Sequence, residues 1–153
     1  MKMSITVRLT TPVYPTEDVS KVMDAISSIF DVSEAKFHEQ LINDSNRGID
    51  ILMLEFEGGV ETLEPFHTKL RQLKILDTAR SVLEKNLLDR EFFFYLNKHV
   101  AYVGRISFVE GDEPHGAIKI TVQAPQELIS EVVNWLAPET KDGVPLYEID
   151  MPH

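Results

Sequence analysis

Met3, Ile5, Val7 and Leu9 alternate with Ser4, Thr6, Arg8 and Thr10 at the start of the chain. This period of two predicts a strand with one buried face. Pro12 and Pro15 break the ladder, and Thr16 can cap a helix whose first residues, Glu17 and Asp18, sit at the positive end of its dipole. Val19, Val22, Met23, Ile26, Ile29 and Phe30 share one side of that helix, which predicts an amphipathic, core-facing element.

Residues 33 to 42 predict a weaker strand carrying Ala35, Phe37 and Leu41. Asn43 to Gly48 is a turn-rich link into the stronger run Ile49 to Phe56, so the pair reads as a hairpin. Gly58-Gly59 ends it. Thr62 can then cap a second helix with Pro65 in its first turn and Leu63, Phe66 and Leu70 on its apolar side. From about Lys74 to Leu88, Ile75, Leu76, Ala79, Val82, Leu83 and Leu87 form the broad face of a third helix.

Glu91 to Leu96 contains a continuous apolar run, Phe92-Phe93-Phe94-Tyr95-Leu96, which predicts a central strand covered on both faces or placed at a subunit contact. Arg105 to Val109 and Ala117 to Val122 flank the turn-like segment Glu110 to Gly116 and predict a second hairpin. Pro125 opens a last helix through Trp135 and Leu136, ended near Pro138, and Leu146 to Ile149 is a candidate final strand. The expected architecture is a single α+β domain over residues 1 to 153, with helices packed on a mainly antiparallel sheet. Its expected order is β-α-β-β-α-α-β-β-β-α, because the short strand-to-strand links exclude parallel crossovers.

Charge changes this picture more than composition does. The formal net charge is −10, which opposes nonspecific contact with nucleic acid or anionic membrane. It is unevenly spread: Phe66 to Arg105 carries eight Lys/Arg and four acids, a local +4, and the remainder carries −14. The chain has no cysteine, which removes disulfides, thiol nucleophiles and Cys-based metal sites, and no apolar run approaches the roughly 20 residues of a membrane span. With a strand-like start in place of a leader, the expectation is a cytoplasmic protein.

The candidate chemistry is sparse. Gly58-Gly59 before a helix could present backbone N–H groups to an anion, but it lacks a P-loop lysine and has Glu57, Glu61 and Glu64 around it. The five histidines lack metal-ligand spacing, and Glu110, Asp112, Glu113 and His115 read as an acidic turn without the pattern of a calcium loop. No metal or cofactor is expected. Lys98 and His99 beside Asp77 and Arg80 make the best available acid-base set, although Asp77 and Arg80 at i, i+3 fit an intrahelical ion pair better than a catalytic couple. Lys74, Thr78, Ser81 and Lys85 at i, i+4, i+7 and i+11 form one stripe of phosphate-compatible donors, which Lys98 and Arg105 extend on the next element. Exposed aromatics interleaved with basic residues, the mark of a single-strand binder, are not visible in the sequence.

Four stretches carry a family resemblance: Pro12-Val13-Tyr14-Pro15-Thr16-Glu17-Asp18; Ile75-Leu76-Asp77-Thr78-Ala79-Arg80; Leu96-Asn97-Lys98 leading to Ala101 and Gly104; and Trp135-Leu136-Ala137-Pro138-Glu139-Thr140 with Asp142-Gly143. Together they resemble the archaeal uncharacterised protein family 0201. That resemblance implies a cytoplasmic homodimer with a fold similar to the ribosomal protein that carries 5S RNA, and it implies no established activity. The leading expectation is therefore a non-enzymatic interaction module acting as a homodimer through an unidentified protein partner, with no membrane contact. RNA binding through the basic middle segment is the alternative, and catalysis the third.

Overall fold

The computed structural model describes residues 4–111 and 116–153. Its sheet is antiparallel throughout, six strands in the order β2-β3-β1-β6-β4-β5. The strands are β1 (Thr6–Val13), β2 (Lys36–Asp44), β3 (Ile49–Gly58), β4 (Glu91–Asn97), β5 (Phe108–Val109) and β6 (Ala117–Gln123). Helices α1 (Val19–Ile29), α2 (Glu64–Gln72), α3 (Leu76–Lys85), α4 (Lys98–Tyr102) and α5 (Gln126–Leu136) complete the core, and β7 (Thr140–Lys141) pairs with β8 (Val144–Pro145) near the end.

The period-two pattern of β1 fixes which face is covered. Val7, Leu9, Thr11 and Val13 are buried, while Thr6, Arg8, Thr10 and Pro12 are half-buried on the other side. Leu54 and Phe56 of β3, Phe92, Phe94 and Leu96 of β4, and Ile118, Ile120 and Val122 of β6 join the buried face. At its centre Phe66 of α2 stacks on Phe30 and Phe94, with centroids 5.3 and 5.1 Å away, and meets Phe108 edge-on at 6.3 Å. A helix side chain thus joins the end of α1 to the middle of the sheet, the kind of long-range apolar contact that makes a two-layer domain cooperative.

The structure departs from the expected order in three places. The predicted hairpin of Arg105 to Val109 with Ala117 to Val122 does not form: β5 shrinks to two residues and pairs with β4, while β6 lies between β1 and β4. The reason is α4, a five-residue helix after β4 that is capped when the Asn97 side chain accepts the Val100 amide at 3.0 Å. It ends at Gly104, whose φ of 71° sits in the left-handed region that favours glycine. No strand forms at Leu146 to Ile149, and the hairpin β7-β8 occurs before it, turned by Asp142-Gly143 at φ 53° and 80°.

Caps and boundaries moved as well. Asp18, not Thr16, caps α1 by accepting the Ser20 amide at 2.9 Å. Thr62 is buried in a 3-10 turn, Val60–Leu63, that precedes α2, and α3 is shorter than its apolar pattern at both ends. The acidic turn residues Asp112, Glu113 and His115 lie outside the described residues.

Candidate nucleic-acid interface

The continuous apolar run of β4 is not covered on both faces. Its burial alternates: Phe92, Phe94 and Leu96 enter the core, while Phe93 and Tyr95 stand half-buried on the open face of the sheet. Register places Thr121 and Lys119 of β6 beside them, with Phe93 opposite Thr121 and Tyr95 opposite Lys119. On the far side of β6, Arg8 is opposite Thr121 and Thr10 opposite Lys119. The exposed Lys119 ammonium lies 5.5 Å from the Phe93 ring centre and 5.7 Å from that of Tyr95, and the two rings meet edge to face at 6.1 Å. Two half-buried aromatics beside an exposed lysine are therefore present on this face. Sequence inspection missed them because Lys119 is separated from both rings by a helix, a strand and a loop, and the unbroken Phe run hid which rings face outward.

This patch continues around the sheet edge. A cleft of about 180 Å³ is lined by Lys85 and Asn86 from the end of α3, by Phe93 and Tyr95, and by Phe108 and Glu110. The Asn86 side chain donates to the Phe93 carbonyl at 3.0 Å, which holds the end of α3 against β4. Gly111 packs so closely on Tyr95 that a Cβ there would come within 2.9 Å of the ring, so the loop after β5 seats on that aromatic. Carboxylates gather at the other end of the open face, where Arg8 binds Glu55 at 2.8 Å and Glu57 at 3.4 Å.

The stripe of Lys74, Thr78, Ser81 and Lys85 is exposed as expected. Only its last member reaches the aromatic patch. Lys85 lies 3.6 Å from Glu110 in a solvent-exposed pair, and Lys74, at φ 58°, stands in the turn before α3. The side of α3 next to the stripe is acidic: Asp77, Glu84 and Glu139 line a shallow depression of about 520 Å³ with Arg80 and Ser81. Arg105 is exposed after α4.

Lys98 does not belong with these contacts. It is buried, with Nζ 2.9 Å from Glu17 Oε1 and donating to the Pro12 carbonyl at 2.5 Å. Glu17 also accepts the Tyr14 amide at 3.0 Å and the Tyr102 hydroxyl at 3.3 Å. Burial alone would raise the Glu17 carboxyl, but the Tyr14 amide, Lys98 and Tyr102 outweigh it and hold it below the ordinary carboxylate range. Burial pulls the Lys98 ammonium downward against the opposing effect of Glu17, and burial together with Glu17 pushes the Tyr102 hydroxyl up. A lysine enclosed in this way is unavailable to a phosphate.

Much of the +4 middle segment is likewise spent inside the fold. Arg71 makes a two-pronged contact with Glu148 at 2.8 and 2.7 Å and donates to the carbonyls of His67, Trp135 and Leu136. Arg80 pairs with Glu84 at 3.2 Å, in place of the Asp77 expected from spacing, and donates to Asn134 and the Ala137 carbonyl. Lys69 donates to the Gly104 carbonyl at 2.9 Å. The proposed acid-base set is also divided: Lys98 is tied to Glu17, while Asp77 accepts a short hydrogen bond from Thr140 and Arg80 holds the end of α5. The Gly58-Gly59 turn is occupied by its own chain, the Gly59 amide donating to the Glu61 carboxylate at 3.3 Å. Among the described residues no cluster of three or more His, Asp or Glu could hold a metal, and no helix is long and apolar enough to cross a membrane.

The four stretches that carry the resemblance pair two by two in space. Pro12 to Asp18 meets Asn97-Lys98 through the Lys98 contacts, and Asp77 to Arg80 meets Trp135 to Thr140 through Thr140, Ala137 and Glu139. A family model described as RNA binding matches residues 6–124, which span all six strands of the main sheet. A UPF0201 protein of Sulfurisphaera tokodaii is 40% identical over 144 residues, covering 92% of this chain and 92% of its own. One from Methanopyrus kandleri is 40% identical over 152 residues, covering 94% and 91%. The crystal structure of a UPF0201 protein from Methanococcus jannaschii, 34% identical, superposes with a TM-score of 0.76 over 93% of this chain and 99% of that one. With these stretches joined in space and more than nine-tenths of its length matched in sequence and fold, the chain belongs to the UPF0201 family.

Proposed function

We propose that this protein is a non-catalytic RNA-binding protein that takes a single-stranded segment on the open face of its sheet. The observation that carries this reading is the juxtaposition of Phe93, Tyr95 and Lys119, with Lys85 beyond the adjoining cleft. Aromatic rings on a sheet accept bases by stacking whatever their sequence, and lysines beside them meet the backbone phosphates. The family model's description as RNA binding supports the same class, and the fold similarity to the 5S-RNA carrier that the family resemblance implies would agree with it by analogy alone. The ranking drawn from sequence is thereby reversed. Of the basic middle segment Lys85 alone serves the patch, since Arg71, Arg80 and Lys98 are engaged in internal contacts. The division of Lys98 from Asp77 and Arg80 withdraws support from catalysis, and the molecule acts as a homodimer.

The test is a titration of labelled ribosomal RNA fragments, single-stranded and duplex, at low and moderate salt. Single-stranded RNA should bind more tightly, and Phe93→Ala and Tyr95→Ala should each weaken it by about 1–3 kcal/mol, the usual worth of one stacked base. Equal affinity of wild type and the Phe93→Ala/Tyr95→Ala double variant, or no binding even at low salt, would remove the reading.

A further inference from the structure

The edge of a sheet is an open row of backbone donors and acceptors, and it recruits another strand unless it is short, covered, bulged or heavily charged. The two edges of this sheet differ sharply in that respect. β5 has two residues. β2 has nine, Lys36–Asp44, in unbroken register with β3 from Lys36 opposite Glu57 to Asp44 opposite Ile49, so no bulge interrupts it. It contains no proline, its only Lys or Arg is at one end, and every residue but Asp44 is exposed.

Three apolar side chains stand exposed among its six polar ones. Phe37, Leu41 and Ile42 are 47%, 64% and 42% exposed. Phe37 and Leu41 lie on the helix side of the sheet, beyond the end of the helical layer. There Leu41 shares an open pocket of about 530 Å³ with Leu52 and with Val19 of α1, itself 40% exposed.

We propose that β2 pairs antiparallel with β2 of a second copy about a two-fold axis through Gln40, joining the two sheets edge to edge. This deepens the homodimer reading by naming its surface. The sequence of β2 is self-complementary in that register. Lys36 falls opposite Asp44 of the second copy at both ends, Gln40 faces Gln40, and Glu39 faces Leu41. The Leu41 side chains lie diagonally to each other and to Phe37 on one face, within reach in an antiparallel ladder. Neighbouring registers are poorer. An axis through Glu39 sets two carboxylates against each other, and one through Leu41 removes the Lys36–Asp44 pairs. Asp44 accepts the Asn46 and Arg47 amides at 3.1 and 3.2 Å and lies 3.5 Å from the Arg47 guanidinium, so Lys36 of the second copy would join a carboxylate that Arg47 already pairs. The axis stands perpendicular to the sheet, so both open faces lie on the same side, and the aromatic patches at β4 remain free because they occupy the opposite end of the strand order.

The chain lacks cysteine, so a single introduced thiol reports the register in the full-length protein. Gln40→Cys should give a disulfide-linked dimer on mild oxidation, since facing residues lie about 4.5–5.5 Å apart between Cα atoms, within disulfide range. His38→Cys should not, because its counterpart would be about 13 Å along the strand pair. Sedimentation of the wild type should show a dimer that dissociates on dilution, and Leu41→Lys, at an exposed site, should raise the dissociation constant about tenfold or more without changing the circular dichroism. A monomer at every concentration would overturn both the homodimer and this surface. A dimer that cross-links no better through Gln40→Cys than through His38→Cys would overturn the surface alone and leave the homodimer and the RNA reading standing.

Discussion

Lys98 shows how one side chain can be misread when its neighbours are unknown. As a lysine beside a histidine it suggested phosphate contact or acid-base chemistry; as a buried ammonium held by Glu17 and the Pro12 carbonyl it fastens the β1–α1 link to the start of α4. Removing one partner of a buried pair leaves the other charge uncompensated, so Glu17→Gln should lower stability by about 3 kcal/mol in urea unfolding. Lys98→Met removes the ammonium from Glu17 but leaves that carboxylate its Tyr14 amide and Tyr102 hydroxyl, so it should cost less. Because Glu17 titrates lower in the fold than in the unfolded chain, its contribution is present above the ordinary carboxylate pKa and is lost as pH falls through its depressed folded value. The acid limb of wild-type stability should therefore be steeper than that of Glu17→Gln. His67 adds a second limb nearer neutrality. It stacks on Trp135 at 4.6 Å, and burial, aided by Arg71, lowers its pKa, so the fold resists its protonation. Stability should fall as pH drops below about 6.5, where the unfolded imidazole gains its proton. His67→Phe should flatten that fall; an unchanged profile would assign it to other groups.

At the scale of elements, β4 separates core from function within consecutive residues. Phe92 is fully buried and Phe93 half-exposed. Phe92→Ala should cost about 3–5 kcal/mol as a large-to-small core change. Phe93→Ala should cost much less while weakening RNA binding, and calorimetry beside the titration would separate the two effects. The short α4 depends on its ending: Gly104 adopts φ 71° and offers its carbonyl to Lys69. Gly104→Ala should destabilise by about 1–2 kcal/mol through backbone strain, shifting the urea midpoint with the slope unchanged. The period-two pattern of β1 was legible because alternation belongs to the strand itself, and β2-β3 because that hairpin pairs neighbouring segments across a turn. The pairing of β4 with β6 was not, since β6 arrives from across the chain and its register depends on the core it closes.

For the whole molecule, a net charge of −10 and an RNA site are compatible only if the contact is small and local. With Lys119 and Lys85 as its cations, the logarithm of RNA affinity should fall with the logarithm of salt at a slope of about −1.4, the expectation for two phosphates on a single strand. A much steeper slope would require cations beyond this patch. The internal ties of Arg71, Arg80 and Lys98 explain why a +4 segment need not make a basic surface: each pairs with an acid (Glu148, Glu84 and Glu17) while joining α2, α3 or α4 to distant parts of the chain.

By itself the sequence determined the α+β class, the antiparallel preference, most helices and the β2-β3 hairpin, because alternation, amphipathic period and turn residues are local properties of the chain. It also carried the family, through short stretches whose meaning lay in their order. Only the tertiary structure decided which side of β4 faces out, that Lys98 is enclosed, that half of the middle cations are spent on internal contacts, and that β2 is left as a long edge without a partner strand among the described residues. Each of those depends on which strands become neighbours, a choice made by packing between residues far apart in sequence.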